Sequence, residues 1–309
     1  MSKENRKIST DVRDALIFID TCILLDFYRA MGRDGELAIL GLIDNNHQQI
    51  ITGEQVEMEY KKNRGELILE ALKAFKMPEW GTLAVPAFLK EAEAAKKIAD
   101  YKKGIEDQVK QIKDHLKKVW EEPSDYDPVY QCLQRLFRAG DLYNLNRKAK
   151  EERLRNRIYA LARKRYILGY PPRKDKDTSC GDGVNWEWVI HCASESHRNV
   201  IIVSRDGDYG TTINGKPVIN DWLSWEFSDR VSREQHVVLT DRLTAAFKMT
   251  EIAVTPEQIK EEDDVIKARE SRLRLDRAQR LWDYLQVMDP SLLKVQEEGD
   301  GGQSLLISA

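Results

Sequence analysis

Five carboxylates stand at positions where an α/β protein can build a reaction site: Asp20, Glu59, Asp182, Asp206 and Asp208. Three of them come just after a short apolar run of strand type, whereas the other two lie on predicted helices. Carboxylates brought close together repel each other unless protons or cations intervene. Hard divalent cations, which prefer oxygen ligands, supply that compensation. If these side chains converge, the sequence predicts a site for Mg²⁺ or Mn²⁺.

Each of these acids also has a purely structural interpretation. An aspartate after a strand is common in turns, and Asp182 could only cap the helix that follows it. Glu59 could be one more solvated charge on an acidic stretch of helix. Their joint placement favours a site, because ligands of open α/β sheets bind outside the carboxyl ends of the strands.

The elements that must position these side chains alternate between strand and helix in two parts of the chain. Apolar runs predict strands at 16–19, 49–52, 199–204 and 236–240. Helical patterns lie between them. This alternation, over the first 60 residues and again over 170–250, predicts an α/β fold with a mostly parallel sheet.

The rest of the chain is predicted to be helical. Segment 73–167 is rich in Ala, Glu, Lys, Leu and Arg and carries no strand signal, which predicts a large helical insertion. A long charged helix is predicted near the C-terminus, before a Gly-rich tail. We therefore expect three units: a sheet-containing unit of 12–72 and 168–250, the insertion of 73–167, and a C-terminal helical extension and tail of 251–309.

Composition narrows the class of protein. The chain has 309 residues, with 49 basic and 52 acidic side chains and a net charge of −3. Hydrophobic residues make up 41%, enough for a folded core, and no apolar run approaches the roughly 20 residues of a membrane helix. The polar N-terminus lacks the apolar core of a secretory signal, so a cytoplasmic protein is expected. Four cysteines without a CxxC pair favour neither a zinc site nor a disulfide framework.

Four segments carry the five acids in a fixed order along the chain. They read FIDTCILLDFYR at 18–29, QVEMEYKKNR at 55–64, GYPPRKDK at 169–176 leading to GDGVNW at 181–186, and IIVSRDGDY at 201–209. Together they resemble the PIN-domain nucleases, and more closely a large bacterial PIN-like branch. Glu59, and not Glu57, matches the second acid of that pattern. Cys22 stands where the family often has Asn.

The resemblance implies a fold, a cofactor and a reaction. PIN domains hydrolyse phosphodiester bonds with Mg²⁺ or Mn²⁺, mostly in RNA, and leave 5′-phosphate and 3′-hydroxyl ends. The resemblance assigns catalysis to Asp20, Glu59, Asp182 and Asp206, and metal binding to Asp20, Asp182, Asp206 and Asp208. The family is common in bacterial toxin and phage-defence settings, which suggests regulated RNA cleavage with a regulatory protein partner.

Two other functions stay open on the sequence alone. Related folds cut branched DNA, so a structure-specific DNA nuclease is one alternative. A catalytically silent nucleic-acid-binding protein is the other, although the full set of acids argues against it.

Basic residues that could contact a nucleic acid are concentrated between 147 and 176. Segment 147–165 holds nine basic residues against two acidic ones, which suits contacts to phosphates. The other interpretation is a solvated helix face. We expect nucleic-acid contacts from eight residues: Arg29, Arg64, Arg153, Arg155, Arg157, Arg173, Lys174 and Lys176. Arg29 and Arg64 could equally form ion pairs with acids of the site.

Overall fold

The structure is a computed structural model that describes residues 12–29, 37–146, 152–172 and 179–288. Its strands are β1 (Leu16–Ile19), β2 (Ile50–Gly53), β3 (Asn144–Leu145), β4 (Val200–Val203), β5 (Gly210–Ile213), β6 (Lys216–Ile219) and β7 (Val237–Thr240). Five of them form a parallel sheet in the order β3-β2-β1-β4-β7, and β5 and β6 form a separate antiparallel hairpin.

Helices cover both faces of the sheet and extend beyond it. In the described residues they are α1 (Thr21–Asp26), α2 (Ala38–Asn45), α3 (Glu54–Ala74), α4 (Glu93–Glu121), α5 (Pro123–Tyr126), α6 (Pro128–Arg138), α7 (Glu152–Leu168), α8 (Gly181–Ser196), α9 (Asp221–Arg230), α10 (Leu243–Met249) and α11 (Pro256–Met288). None of these helices combines the length and the apolar composition needed to span a membrane.

The central strands are apolar throughout because both faces of the sheet are covered. Every residue of β1, β2 and β4 is buried, as is usual for parallel strands packed between helices. Ile17 of β1 lies opposite Ile50 on one side and Ile201 on the other. The predicted α/β fold with a mostly parallel sheet is confirmed.

One part of the predicted helical insertion is wrong, because it contains an edge strand of the central sheet. Thr52 and Gly53 of β2 pair in parallel with Asn144 and Leu145 of β3. A strand of two residues has no apolar run, so periodicity does not reveal it. The Asn144 side chain fixes its position by donating to the backbone carbonyls of Leu136 and other residues at the end of α6. The division of the chain into three units stays a prediction.

The β5–β6 hairpin and α9 fill a region for which the sequence analysis made no assignment. Asn214 and Gly215 form the turn, with φ of 51° and 74°. Positive φ at both central residues matches the twist of the two strands, and Asn-Gly is the sequence that tolerates it best. The Asn214-Gly215 pair is therefore a local sequence signal for this hairpin.

The long C-terminal helix packs on the core by its first half. Glu262 is buried and accepts hydrogen bonds from the backbone N–H groups of Leu243 and Thr244, the first residues of α10. Arg242 forms an ion pair with Asp263 beside it. The residues of α11 from 270 to 285 are exposed, and the Gly-rich tail lies outside the described residues.

Candidate metal centre

Two predicted acids are brought together by the register of β1 and β4. Ile19 lies opposite Val203, so Asp20 and Ser204 leave the sheet side by side. The Ser204 hydroxyl donates a hydrogen bond to Asp20 Oδ2 at 2.5 Å, and the backbone N–H of Asp206 donates to Ser204 Oγ at 3.1 Å. Ser204 therefore links the carboxylate that follows the first strand to the loop that follows the fourth.

Asp20 is buried, and the side chains that donate hydrogen bonds to it are neutral. Besides Ser204, the Cys22 thiol donates to Oδ2 at 3.4 Å, and within the described parts of the chain no ion pair reaches Asp20. Burial raises the pKa of Asp20 from 3.8 to about 6. The hydrogen bond from Ser204 opposes this shift, whereas the charges of Asp206 and Glu59 add to it. A cation at this position would replace the lost hydration of the carboxylate.

The donor atoms at this point suit a hard divalent cation. Ligand atoms of Asp20, Cys22 and Asp206 all lie within 4.8 Å of one another. Burial and the neighbouring carboxylates raise the pKa of the Cys22 thiol well above its ordinary value, so the sulfur stays protonated. Two carboxylates with a neutral thiol suit a hard divalent cation better than soft metals that require thiolate. Cys22 also supplies a hydrogen-bond donor where the resemblance led us to expect Asn.

Glu59 reaches the same place from α3. Its Oε2 accepts from the Thr21 hydroxyl at 2.9 Å, and its Oε1 accepts from Gln55 Nε2 at 2.6 Å. Thr21 follows Asp20 directly, and Gln55 lies one turn before Glu59 on the same helix. Two neutral donors therefore fix both oxygens of Glu59 next to the first acid.

A glycine lets the start of α8 approach closely enough to add Asp182. A Cβ atom on Gly181, the first residue of α8, would lie only 2.5 Å from Glu59 Oε1 and from Gln55 Nε2. Asp182 is the second residue of that helix and not its cap. The sequence predicted that Asp182 joins the other acids. It did not predict that Gly181 is needed for the close approach of the two helices.

Four of the five predicted acids line one open cleft of about 660 Å³: Asp20, Glu59, Asp182 and Asp206. The cleft lies at the carboxyl ends of β1 and β4, the edge of a parallel sheet outside which ligands bind. Asp208 is buried and is not part of the wall of this cleft.

A buried phenol lies among these acids, and sequence reasoning gave it no role. The side chain of Tyr209 is fully buried, and its hydroxyl has no hydrogen-bond partner among the described residues. Burial raises the pKa of Tyr209 well above its ordinary value, and four carboxylates raise it further: Asp182, Asp20, Glu59 and Asp208. An unpaired buried hydroxyl among acids is costly, which fits a centre that is completed by a bound group. Its only signal in the sequence is an aromatic residue after the last acid.

Two predicted phosphate contacts have protein partners instead. Arg29 pairs with Asp26 at 2.7 Å and remains on the wall of the cleft. Arg64 is buried and binds Asp127 at 2.7 Å, while its guanidinium packs over the ring of Tyr28. Arg64 therefore lies outside the acidic cleft and holds α3 to the helices that follow it.

The arginines of α7 lie beside a second cleft. Arg153 and Arg157 line an open groove of about 990 Å³ next to β3, together with Trp188 and His191. Arg155 lies 3.7 Å from Glu54. Three more predicted contacts fall outside the described residues: Arg173, Lys174 and Lys176.

Comparison with known proteins agrees with this geometry. A family model described as a PIN domain matches residues 17–209, which is more than half of the chain and includes all five acids. No significant match was found among curated proteins or among solved structures. PIN domains are nucleases that generally use divalent metal ions, and the acid cluster at the sheet edge is of the kind that binds one. The chain therefore belongs to the PIN-domain family.

Proposed function

We propose that this protein is a metal-dependent endoribonuclease that hydrolyses RNA phosphodiester bonds with Mg²⁺ or Mn²⁺. The observation that carries the proposal is the meeting of Asp20, Glu59, Asp182 and Asp206 in one cleft at the carboxyl edge of a parallel sheet. Family membership supports the nuclease class. RNA as the substrate, these particular metals and the role of each residue are our proposal.

The acidic side chains have different roles in the proposed hydrolysis. Asp20 and Asp206 would hold the ion, since their ligand oxygens lie within 4.8 Å of each other, and Asp182 would complete the set from α8. The ion supplies a lowered pKa for bound water and offsets charge on the phosphate. Glu59, held by Thr21 and Gln55, orients the attacking water and accepts its proton. Asp208 is buried and is not part of the cleft wall, and we propose that it adds negative charge that attracts the ion. The products would carry 5′-phosphate and 3′-hydroxyl ends.

Cations in the acidic cleft and in the groove beside β3 support a nucleic-acid substrate. Arg29 and Lys62 line its wall beside the acids, and Arg153 and Arg157 form the basic side of the second groove. We propose that these side chains contact the phosphate backbone. The exposed Tyr170, just after the end of α7, offers a ring on which a base can stack.

Cleavage assays test the reaction and the substrate together. The protein is incubated with end-labelled single-stranded RNA, structured RNA and branched DNA, each with Mn²⁺, Mg²⁺ or EDTA. We expect RNA cleavage that requires the metal, loss of cleavage in Asp20→Asn and in Asp206→Asn, and full activity in Asp229→Asn, a matched change of an exposed acid. Cleavage of DNA alone favours the DNA nuclease. Tight RNA binding without cleavage in any divalent metal favours a silent binding protein.

We further propose that the cleavage restrains growth in a bacterial toxin or phage-defence setting, with a regulatory protein partner. This part rests on the resemblance to the large bacterial PIN-like branch. Induced expression in growing bacteria should arrest growth with the wild-type chain and not with Asp20→Asn. Equal growth of the two strains would contradict it.

A further inference from the structure

The C-terminal helix places a cation directly at the acidic cluster. Arg269 of α11 donates from Nη2 to Asp206 Oδ1 at 3.0 Å and from Nη1 to Asp26 Oδ2 at 3.3 Å. Its side chain is only 16% exposed. The guanidinium thus lies inside the wall of the cleft, 63 residues along the chain from the acid it binds.

Asp26 does not require this arginine. Arg205 already pairs with Asp26 Oδ2 at 2.5 Å, and Arg29 pairs with Oδ1 at 2.7 Å. Arg205 has a second acid of its own, Glu262, at 2.9 Å. Three arginines therefore surround one buried carboxylate, and the contact of Arg269 with Asp206 is the one that balances the local charge.

The helix is fixed where it presents this side chain. Glu262, two turns before Arg269, caps α10 and pairs with Arg205. One turn after Arg269, Arg272 forms an ion pair with Glu70 of α3 at 2.5 Å. Contacts on both sides thus set the position of the guanidinium, and it does not depend on the arginine alone.

The carboxylate bound by Arg269 is also a candidate metal ligand. Asp206 offers an oxygen within 4.8 Å of ligand atoms on Asp20 and Cys22. A divalent cation shared by Asp20 and Asp206 would lie close to the guanidinium, and two cations compete for one carboxylate.

We propose that Arg269 is the resident counter-ion of the metal centre, neutralising Asp206 in the metal-free protein and weakening metal binding there. The C-terminal helix thereby sets the metal concentration at which the enzyme becomes active. The inference rests on the proposed metal-dependent function, and it adds a positioning residue that the acid motif does not contain.

Metal binding without turnover tests this proposal. Mn²⁺ affinity is measured by calorimetry and by the EPR signal of free Mn²⁺, with no RNA present. Arg269→Gln should bind Mn²⁺ at least about tenfold more tightly than the wild type, because a nearby positive charge has been removed. Arg269→Met, neutral and of similar length, should show the same gain if the glutamine variant folds poorly. Arg269→Lys, which keeps the charge, should stay close to wild type.

The control is Arg274→Gln, the same change at an exposed position of α11. It should leave Mn²⁺ affinity unchanged. Equal or weaker Mn²⁺ binding by the folded Arg269→Gln and Arg269→Met proteins would overturn the inference while leaving the nuclease proposal intact. Absence of Mn²⁺ binding in every protein, wild type included, would contradict the metal-dependent function and this inference with it.

Discussion

The side chain of Asp20 lowers the stability of the metal-free protein and provides a candidate ligand for the metal centre. Its carboxylate is buried against two neutral donors, and burial raises its pKa to about 6. A group whose pKa is higher in the folded protein stabilises the fold only while it is protonated. That contribution is complete below pH 4 and is lost as the pH rises through 6. At neutral pH the metal-free protein therefore contains an ionised carboxylate that is buried and has no ion-pair partner among the described residues.

Replacing this acid should make the metal-free protein more stable. In Asp20→Asn the charge is absent, and the shift of about two pKa units corresponds to a gain in the free energy of unfolding on the order of 2–3 kcal/mol at pH 7.5. Urea unfolding in EDTA measures the difference, which should vanish near pH 4. Asp229→Asn serves as the control. A variant no more stable than wild type at pH 7.5 would contradict the buried, uncompensated state of Asp20.

The same carboxylate should make metal binding depend on pH. A proton on Asp20 occupies the position that a cation needs, so Mn²⁺ affinity should be constant above about pH 7 and fall below pH 6. The decrease should approach tenfold per pH unit for this single group. Calorimetric titrations between pH 5 and 8 measure it. An affinity independent of pH across 6 would show that Asp20 is not a ligand.

At the scale of elements, the site depends on how closely α8 approaches α3. Gly181 has no side chain where a Cβ would meet the ends of Glu59 and Gln55 at 2.5 Å. Both of these side chains are flexible, so the fold can accommodate an added methyl group by moving them. The cost then falls on the position of Glu59 and not on the packing of the helices.

Gly181→Ala should therefore separate activity from stability. The methyl group displaces Glu59 from Thr21, and cleavage should fall on the order of 10²-fold while the unfolding temperature stays near that of wild type. Rates with saturating RNA and thermal unfolding measure the two effects. Gly104→Ala on α4, where nothing lies within 4 Å, is the control. It should keep full activity and gain about 0.5–1 kcal/mol in stability. Unchanged cleavage in Gly181→Ala would contradict the proposed role of Glu59 in orienting the attacking water.

The sequence predicts the elements that have strong local patterns. The apolar runs that become β1 and β4 are buried on both faces, so the strands and the acids that follow them could be predicted together. The two-residue β3 has no such pattern, because its place in the sheet comes from pairing with β2. The hairpin around Asn214 had a turn signal that periodicity alone does not use.

The ion pairs of the arginines near the site could not be predicted from the sequence, because their members lie far apart in the chain. Arg64 and Asp127 are 63 residues apart, and Arg269 meets Asp206 at the same separation. Nothing in the local sequence selects one acid among 52 as the partner of a given arginine. Convergence of the acids was predictable, because parallel strands fix where their carboxyl ends lie, but the arginines that surround them were not.

At the scale of the whole molecule, charge is separated between two clefts. The metal centre is acidic, whereas the groove beside β3 carries Arg153 and Arg157 on one wall. A net charge of −3 does not reveal this arrangement, since attraction of a polyanion depends on where the charges lie. The basic groove is the surface on which we expect RNA outside the reacting phosphate to bind.

Reversing charge in that groove should weaken RNA binding and its salt dependence. The double variant Arg153→Glu with Arg157→Glu should bind RNA at least about tenfold less tightly, and the slope of log K against log salt should fall by about 0.7 for each lost phosphate contact. Fluorescence anisotropy from 50 to 300 mM salt measures both, with EDTA present to prevent cleavage.

The control for that experiment reverses two exposed lysines of α4, Lys96 and Lys97, which gives the same net charge. If the control lowers the affinity and the slope as much as the groove variant does, the effect is one of overall charge and the groove has no special role.

The central claim is that acids far apart in the sequence lie in one cleft and bind a divalent cation. Anomalous diffraction from a Mn²⁺-soaked crystal tests it most directly. The account predicts an anomalous peak within bonding distance of Asp20 and Asp206, on the side of the cleft that Glu59 and Asp182 face. A crystal with well-ordered acids, full Mn²⁺ soaking and no peak between Asp20 and Asp206 would contradict it.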